Sequence, residues 1–349
     1  MHRVTLIPGD GIGPEVTRAA REIVDASGAA LEWEIAEAGM ATGNAGGLPL
    51  PPAVFDSIAS TGVVLKGPTQ TPFGEPYPVQ VGDRVYPSVA IALRKELKLF
   101  VNVRPARNYP GIRSRFENVD IVIFRENSED LYVADERMVD ADTAEAVKRI
   151  TRGASERVTR FAFDYMQRTG RRNLTAVHKS NVLKLTDGLF LQSAQTVAKS
   201  HRAFGFDTRV IDALCMELVT RPEAFDCLVL PNLYGDIVSD LAAGLVGGLG
   251  VAPGANIGEA CAMFEAVHGS APDIAGQDRA NPMAMILSAV MLLRYVGEDA
   301  AANRIDAALL AVLKDGRQLT RDLGGSAGTR GMTQAIVENM NRQPAGRNG

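Results

Sequence analysis

The feature that most constrains this chain is its alternation of short apolar runs with longer segments of helical periodicity, which starts at the first residues. Residues 4–8 (VTLIP) read as a strand and 9–13 (GDGIG) as a turn. Pro14 stands where the first turn of a helix tolerates proline, and helical spacing follows over 16–26. The pattern then repeats. Strands are expected at 31–36, 62–66, 100–103, 119–124, 173–178, 209–212 and 227–230. Helices are expected over 53–61, 88–97, 154–168, 187–203, 281–295, 300–315 and 329–340, with one more opening in 236–247. Such alternation predicts an α/β fold with a largely parallel sheet. Segments 131–138 and 144–150 are expected to pair as a protruding hairpin. The Pro-, Gly- and Tyr-rich stretch 71–86 reads as a loop and 341–349 as a disordered tail.

Composition narrows the class. At 349 residues the chain is long enough for two domains and a core that needs no staples. Its net charge of -4, with basic residues dispersed, offers no surface for nucleic acid. Three cysteines (Cys215, Cys227, Cys261), odd in number and without a CxxC pair, argue against a disulfide framework and a structural zinc site. The longest apolar run, 283–293, is shorter than the ~20 residues of a bilayer span. The N-terminus reads as strand and glycine loop rather than signal peptide, so a cytoplasmic protein without a membrane partner is expected.

Five constellations carry chemistry. The Gly9–Gly13 loop lies between strand and helix, where backbone amides can approach a ligand. Its spacing is GxGxG rather than the usual dinucleotide GxGxxG, although Glu32 and Glu34 lie at a suitable distance beyond it. A tight turn without a ligand is the equal alternative. Arg94, Arg104 and Arg125 are embedded in apolar sequence (ALRKEL, VNVRP, IVIFREN). Buried guanidinium forks are costly unless they meet anions, so the trio points to a small polyanionic substrate. Asp236 and Asp240 share a helix face in LYGDIVSDL, and Asp212 is placed at the end of an earlier strand. Three carboxylates without His or Cys suit Mg²⁺ or Mn²⁺, or else are helix acids favoured by the dipole. Lys179 in AVHKSN and Tyr132 in ENSEDLY are candidates to move protons. Finally, the loop from His268 to Gly276 frames a His and Asp273 among small residues, with Asn281 downstream. A carboxylate there would accept bonds from an adenosine ribose and repel a 2′-phosphate.

Taken in order, the motifs GDGIGPE, LKGPTQTP, ALRKEL, NVRP, RENSEDLY, HKSN, NLYGDIVSD and HGSAPDIAG resemble those of the β-decarboxylating dehydrogenases. That family acts on isocitrate, homoisocitrate and 3-isopropylmalate, and the chain looks nearest its NAD-dependent isocitrate members. The resemblance runs from residue 4 to about 337. It implies an isopropylmalate dehydrogenase-like two-domain α/β fold, a non-classical dinucleotide site, and a homodimer with a shared active site. The large cofactor domain would comprise 1–97 and 246–349. The small dimerisation domain would be 98–245, with an arm near 131–151. By the same resemblance Arg94, Arg104 and Arg125 would hold the malate carboxylates and Ser88 the C3 substituent. Tyr132 would protonate the enol, and Lys179 and Asp212 would reach in from the partner subunit. Asp212, Asp236 and Asp240 would bind Mg²⁺ or Mn²⁺. Lys66, Gly67, Pro68, Thr69, Thr71, His268, Gly269, Ser270, Ala271, Asp273, Ile274 and Asn281 would cradle NAD.

The sequence departs from the family at one place. Isocitrate enzymes usually carry SxN before the arginine helix, and here the string is Ser88-Val89-Ala90. The preceding loop looks long and carries Arg84, a candidate extra anion contact. Isocitrate is the first expectation. Homoisocitrate or a phosphonate analogue such as phosphonomethylmalate follows, with 3-isopropylmalate behind them. A non-catalytic regulatory subunit would have lost one of Lys179, Tyr132, Asp212, Asp236 or Asp240, and all are present. A metal-dependent hydrolase would have no use for the HGSAPDI loop. In NADP-using relatives a basic residue and a tyrosine stand at the positions of Asp273 and Ile274. Asp273→Lys with Ile274→Tyr should therefore shift the ratio of kcat/KM values toward NADP by tenfold or more, roughly one lost repulsion and one gained contact. An unchanged ratio would refute the assignment.

Overall fold

The computed structural model describes residues 1–72 and 77–342. The end of the expected tail, 343–349, and part of the expected loop, 73–76, lie outside the described residues. In chain order the strands are β1 (His2–Ile7), β2 (Leu31–Ile35), β3 (Val63–Lys66), β4 (Val79–Val81), β5 (Arg84–Tyr86), β6 (Val101–Arg107) and β7 (Asp120–Glu126). They continue as β8 (Glu136–Met138), β9 (Ala144–Ala146), β10 (Asn173–His178), β11 (Gly205–Val210), β12 (Cys227–Leu230), β13 (Pro253–Ile257) and β14 (Ala262–Ala266). The helices begin with α1 (Gly13–Ser27), α2 (Met40–Asn44), α3 (Pro52–Thr61), α4 (Val89–Glu96), α5 (Arg152–Thr169) and α6 (Thr186–Ala198). They end with α7 (Ile211–Leu218), α8 (Asn232–Val246), α9 (Met283–Tyr295), α10 (Asp299–Asp315) and α11 (Thr329–Arg342).

Ten strands form one sheet in the order β11-β10-β12-β7-β6-β13-β14-β3-β1-β2. Two parallel wings, β11-β10-β12-β7 and β14-β3-β1-β2, meet through antiparallel β6 and β13. The first wing comes from the middle of the chain and the second from its two ends. The parallel strands are buried on both faces (β3, β12 and most of β10), so they read as apolar runs without alternation. One apolar cluster runs through both wings, from Val4 and Ile23 to Phe124, Leu228 and Leu293. No helix among the described residues is long and apolar enough to cross a membrane.

Strand register lays a polar stripe across this apolar sheet. Arg125 of β7 pairs with Asn102 of β6, Asn102 with Asn256 of β13, and Glu265 of β14 with Lys66 of β3. Gly254 pairs with Glu265, two residues from Asn256, so side-chain alternation puts the whole stripe on one face. Val103, Ala255 and Phe264 point to the other face and join the core.

Several expectations change. The stretch expected as loop contains the hairpin β4–β5, closed by Gly82-Asp83 with Gly82 at φ 56°. Asp212 does not end a strand. The strand stops at Val210 and Asp212 lies in the first turn of α7; the string VIDAL (210–214) crosses from strand to helix with no Gly or Pro to mark the change. α6 ends at Ala198 rather than 203. The chain tightens into i→i−3 bonds at Ser200 and His201, and the His201 ring stacks on Phe163 at 4.4 Å. α8 starts at Asn232, a turn before Asp236. Strands β13 and β14 were absent from the sequence expectation. Their Pro, Gly and Ala carry little β propensity, and burial on both faces removes the alternation.

α8 packs against β7 at Gly235, where an added Cβ would stand 2.6 Å from Cγ and 2.7 Å from Cβ of Arg125. Gly235→Ala should push the helix off the strand at a cost of ~1–3 kcal/mol. Thermal unfolding should then begin several degrees lower, and a melting curve that overlays the wild type would refute this contact as limiting.

Candidate active site

The glycine loop turns out to be a clasp. A Cβ on Gly11 would lie 2.0 Å from the Ser270 carbonyl oxygen, and one on Gly9 2.2 Å from that of Pro68. The Ile12 amide donates to the Ser270 carbonyl at 2.8 Å and the Asp10 amide to the Pro68 carbonyl at 2.7 Å. The Asp10 carboxylate, buried, accepts from the amides of Met40, Ala41 and Gln70. Of the two readings of this loop, the glycines serve close packing of the chain on itself. Glu34 pairs with Arg3 and Glu32 is exposed on the edge strand β2. The clasp holds the 67–70 and 268–271 loops side by side.

Those loops border a cavity of about 140 Å³ floored by the polar stripe. Lys66, Thr69, Ala90, Arg94, Asn102, Arg104, Glu265, His268 and Gly269 line it. Glu265 organises the floor: it accepts from Lys66 at 2.8 Å, Arg94 at 2.9 Å and Asn256 at 2.9 Å. Burial alone would raise its pKa, but Lys66 and Arg94 overcome that and hold the carboxyl well below the usual range. Arg104 is held by Asn102 at 2.5 Å and Ser239 at 2.6 Å, and it lies 3.3 Å from Asp236 and 3.4 Å from Asp240. Arg125, 1 % exposed, donates to Asn232 at 2.8 Å and to Asp236. Burial, then its neighbours Arg104 and Arg94, push it down to about 10, so it stays charged at neutral pH. Tyr132 donates to Asp236, and the Arg125 guanidinium lies 4.8 Å from its ring centre. Burial and that bond to a carboxylate raise the phenol, so it keeps its proton. For Asp236, burial is outweighed by Arg125 and Arg104, which lower its pKa. For Asp240, burial prevails and raises it.

Three arginines, Tyr132, Asp236 and Asp240 thus come together. Lys179 and Asp212 do not join them. They pair with each other at 2.6 Å, and the Asp212 side chain is 68 % exposed. Lys179 depresses the Asp212 pKa. Among the described residues of one chain, no three His, Cys, Asp or Glu side chains gather to hold a metal ion. Asp236 and Asp240 offer hard oxygens one helical turn apart, which fits a divalent cation in part and leaves a third carboxylate to come from outside this cluster. Arg84, next to the turn of its hairpin and largely exposed, pairs with Glu96 at 3.3 Å. Ser88 caps α4, accepting from the Ile91 amide at 3.2 Å, while Ala90 lines the cavity.

A second cavity, about 500 Å³, opens beyond His268 and Gly269 and is lined by Ile12, Ala271, Ile274, Arg279, Asn281, Arg321 and Asp322. His268 borders both cavities. Its Nδ1 pairs with the Gly269 carbonyl while its Nε2 is buried without a partner. Arg94 Nε is orphaned in the same way. The two atoms are buried, and they belong to residues that line the cavities, His268 both of them and Arg94 the first. Asn281 is set by Asp322 at 2.8 Å, and Ala271 adopts φ 37°, a strained left-handed backbone at the loop's apex. Asp273 is exposed at the start of a short 3₁₀ turn, Thr69 and Ser270 lie in the clasped loops, and Thr71 is exposed just beyond. Glu265, Asn102, Asn256 and Asp322 were not expected. For Glu265 there was a signal: acids and lysines inside runs such as AMFEA and VVLK must find each other.

Removing the Glu265 charge leaves Lys66 and Arg94 uncompensated. Glu265→Gln should cost ~3–5 kcal/mol at pH 7. A depressed folded pKa contributes stability above the unfolded carboxyl value of about 4.3, lost as pH falls below it. The gap in melting temperature between wild type and Glu265→Gln should therefore narrow from pH 7 to pH 3.5. A constant gap would refute the charge as the cause.

Comparison with known proteins agrees with this geometry. Residues 3–339 match the family model described as isocitrate/isopropylmalate dehydrogenase. The chain is 45% identical over 338 residues to isocitrate dehydrogenase (NAD) subunit alpha, mitochondrial, of Homo sapiens, covering 97% of this chain and 90% of that one. It is 43% identical, covering 97% and 87%, to the probable enzyme subunit of the same name from Drosophila melanogaster. A crystal structure of isocitrate dehydrogenase from Methylococcus capsulatus superposes with a TM-score of 0.92 at 47% identity, covering 98% of this chain and all (100%) of that one. With the polar stripe, the clasped loops and these matches, the chain belongs to the isocitrate/isopropylmalate dehydrogenase family.

Proposed function

We propose that this chain catalyses the NAD-dependent oxidative decarboxylation of isocitrate to 2-oxoglutarate with Mg²⁺ or Mn²⁺. It would work as a homodimer in which each active site draws on both subunits. The observation that carries the reading is the charge balance of the ion-paired cluster in and beside the cavity. Lys66, Arg94 and Arg104, which line it, and Arg125 behind them pair with Glu265, Asp236 and Asp240, which leaves one positive charge from four cations and three anions. A divalent cation on Asp236 and Asp240 would raise that to three, the charge of a tricarboxylate. An isopropyl-bearing dicarboxylate would leave positive charge unmatched, and a phosphonate analogue would exceed it.

In this reading Arg94, with its unpaired Nε, and Arg104 and Arg125 orient the substrate carboxylates in forks. Ser88 meets the C3 arm, Ala90 widening the wall beside it. The loop 268–274 with Asn281 would hold NAD, which would supply the acceptor for the C2 hydride, and Asp236 and Asp240 would hold the divalent cation, which would supply Lewis-acid polarisation of the C2 oxygen. Lys179 of the partner subunit takes the C2 hydroxyl proton, and the phenol of Tyr132, protonated by its surroundings, delivers one to C3 after CO₂ leaves. His268 Nε2, Thr69, Thr71 and the 269–274 loop with Asn281 hold the dinucleotide across the two cavities. Asp273 favours NAD through the ribose. The lone Lys179–Asp212 pair supports a site completed by a second copy. The relatives named subunit alpha favour assembly of some kind, and the proposed division at 97/98 and 245/246 would put β6 in one domain and β13 in the other.

NADH formation should appear with isocitrate and Mg²⁺ or Mn²⁺, and vanish with chelator. It should be at least tenfold slower in kcat/KM, or ~1.4 kcal/mol, on homoisocitrate, 3-isopropylmalate and phosphonomethylmalate. Silence on isocitrate with turnover of another would overturn the substrate while keeping the chemistry. Silence on all four would overturn the function.

A further inference from the structure

A buried ion cluster lies away from the substrate cavity, and nothing in the chemistry above uses it. Lys148, just past β9 on the returning limb of the arm, places its ammonium 2.6 Å from Asp187 Oδ1 and 3.7 Å from Asp130 Oδ1. It also lies 4.4 Å from the ring centre of Tyr234 and 3.4 Å from its hydroxyl. Both carboxylate side chains are fully shielded, at 0 % exposure. Two buried carboxylates share one cation, and Asp130 Oδ1, within ion-pair range but without a hydrogen-bond partner, depends on that ammonium alone for compensation.

Each carboxylate grips the backbone of a proton-handling element with its second oxygen. Asp187 Oδ2 accepts from the Lys179 amide at 2.6 Å, fixing the residue at the exit of β10. Asp130 Oδ2 accepts from the Leu233 amide in the first turn of α8, the helix that carries Asp236. Asp130 itself has φ 75°, a strained value for a residue other than glycine, and leads directly into the turn bearing Tyr132. Its amide donates to the Arg149 carbonyl, next to Lys148.

We infer that Lys148 is a positioning residue for the reaction: one ammonium clamps two buried carboxylates, and these set the backbones carrying Lys179 on one side and Tyr132 with Asp236 on the other. This rests on the proton roles proposed for Tyr132 and Lys179. In a dimer with shared sites, Tyr132 serves its own active site and Lys179 the partner's, so the clamp joins the machinery of both sites within one chain.

Lys148→Met should lower kcat about tenfold or more per folded molecule, since small misplacements of reacting groups are expensive. KM values for isocitrate and NAD should stay within about threefold, because Arg94, Arg104, Arg125 and the cofactor loops are untouched, and the pH profile of kcat should shift. Lys148→Arg, which keeps the charge, should recover part of the loss. A role in folding alone would lower the melting temperature and leave kcat per folded molecule and the pH profile at wild-type values, and that result would overturn the inference. If Lys148→Met does not fold, Lys148→Gln and Lys148→Arg carry the same test with the same reversing result. Tyr132→Phe and Lys179→Met are measured alongside. Wild-type turnover in those two would overturn the proton roles themselves, whereas their loss with wild-type kcat in the Lys148 variants would overturn the clamp alone.

Discussion

The buried carboxylate of Glu265 is the interaction on which the site depends. A sheet of this kind is apolar on both faces, and four cations cannot enter it without compensation. Glu265 sits on β14 between β3 and β13 and takes Lys66 from one neighbour, Asn256 from the other and Arg94 from α4 above. Asn256 then passes the polar chain to Asn102 at 2.7 Å, and Asn102 to Arg104. One acid in register thus carries a polar, cation-rich floor across five strands of hydrophobic sheet. It also explains why the floor lies at the β6–β13 junction, where strands from the chain's middle and its ends become neighbours.

Much of this was legible in the sequence because the local signals are strong. Pro14 and Gly28 bracket α1, Ser88 caps α4, and β10 and β12 end where they were expected to. The arginine trio could be read from the mismatch between its chemistry and its apolar surroundings. What escaped is tertiary. β13 (PGANI) carries Pro and Gly that disfavour a strand, β14 (AMFEA) is short and buried on both faces without alternation, and pairing with β6 and β3 makes strands of both. The function of GDGIG also lies outside its own segment: Gly11 is required by a carbonyl some 260 positions later, at Ser270. Asp212 was misplaced because no Gly or Pro in VIDAL (210–214) marks the change from strand to helix. A hairpin within 79–86 was visible in the VQV–GD–RVY alternation but masked by the Pro and Tyr around it.

The electrostatics divide the acids by partner. Asp236, beside two guanidiniums, is depressed, whereas Asp240, one turn on and with weaker pairing, is raised by burial. Arg125 and Arg104 are both lowered by desolvation, with like charges adding to it. An anionic ligand would relieve that repulsion, and a cation on the two aspartates would relieve the excess of negative charge that such a ligand brings. Each would improve the electrostatic setting for the other, so in the proposed function the site would favour the pair over either alone.

Against this tightly held floor, the Lys179–Asp212 pair stands out by its exposure. A surface ion pair contributes about 0–1 kcal/mol, so stability does not account for its placement. Yet the Lys179 backbone is fixed by a carboxylate with no exposure at all, Asp187. A rigid, buried base with a solvent-facing tip is what a group needs if it is to act outside its own chain: the buried part supplies precision, and the weak pair at the tip is readily exchanged for new partners. The reverse holds for Tyr132, whose hydroxyl already meets Asp236 within the chain. In the proposed mechanism the two proton-handling groups would therefore differ in how they are finished, one inside the monomer and the other by assembly, with Lys148 lying between the carboxylates that hold their backbones.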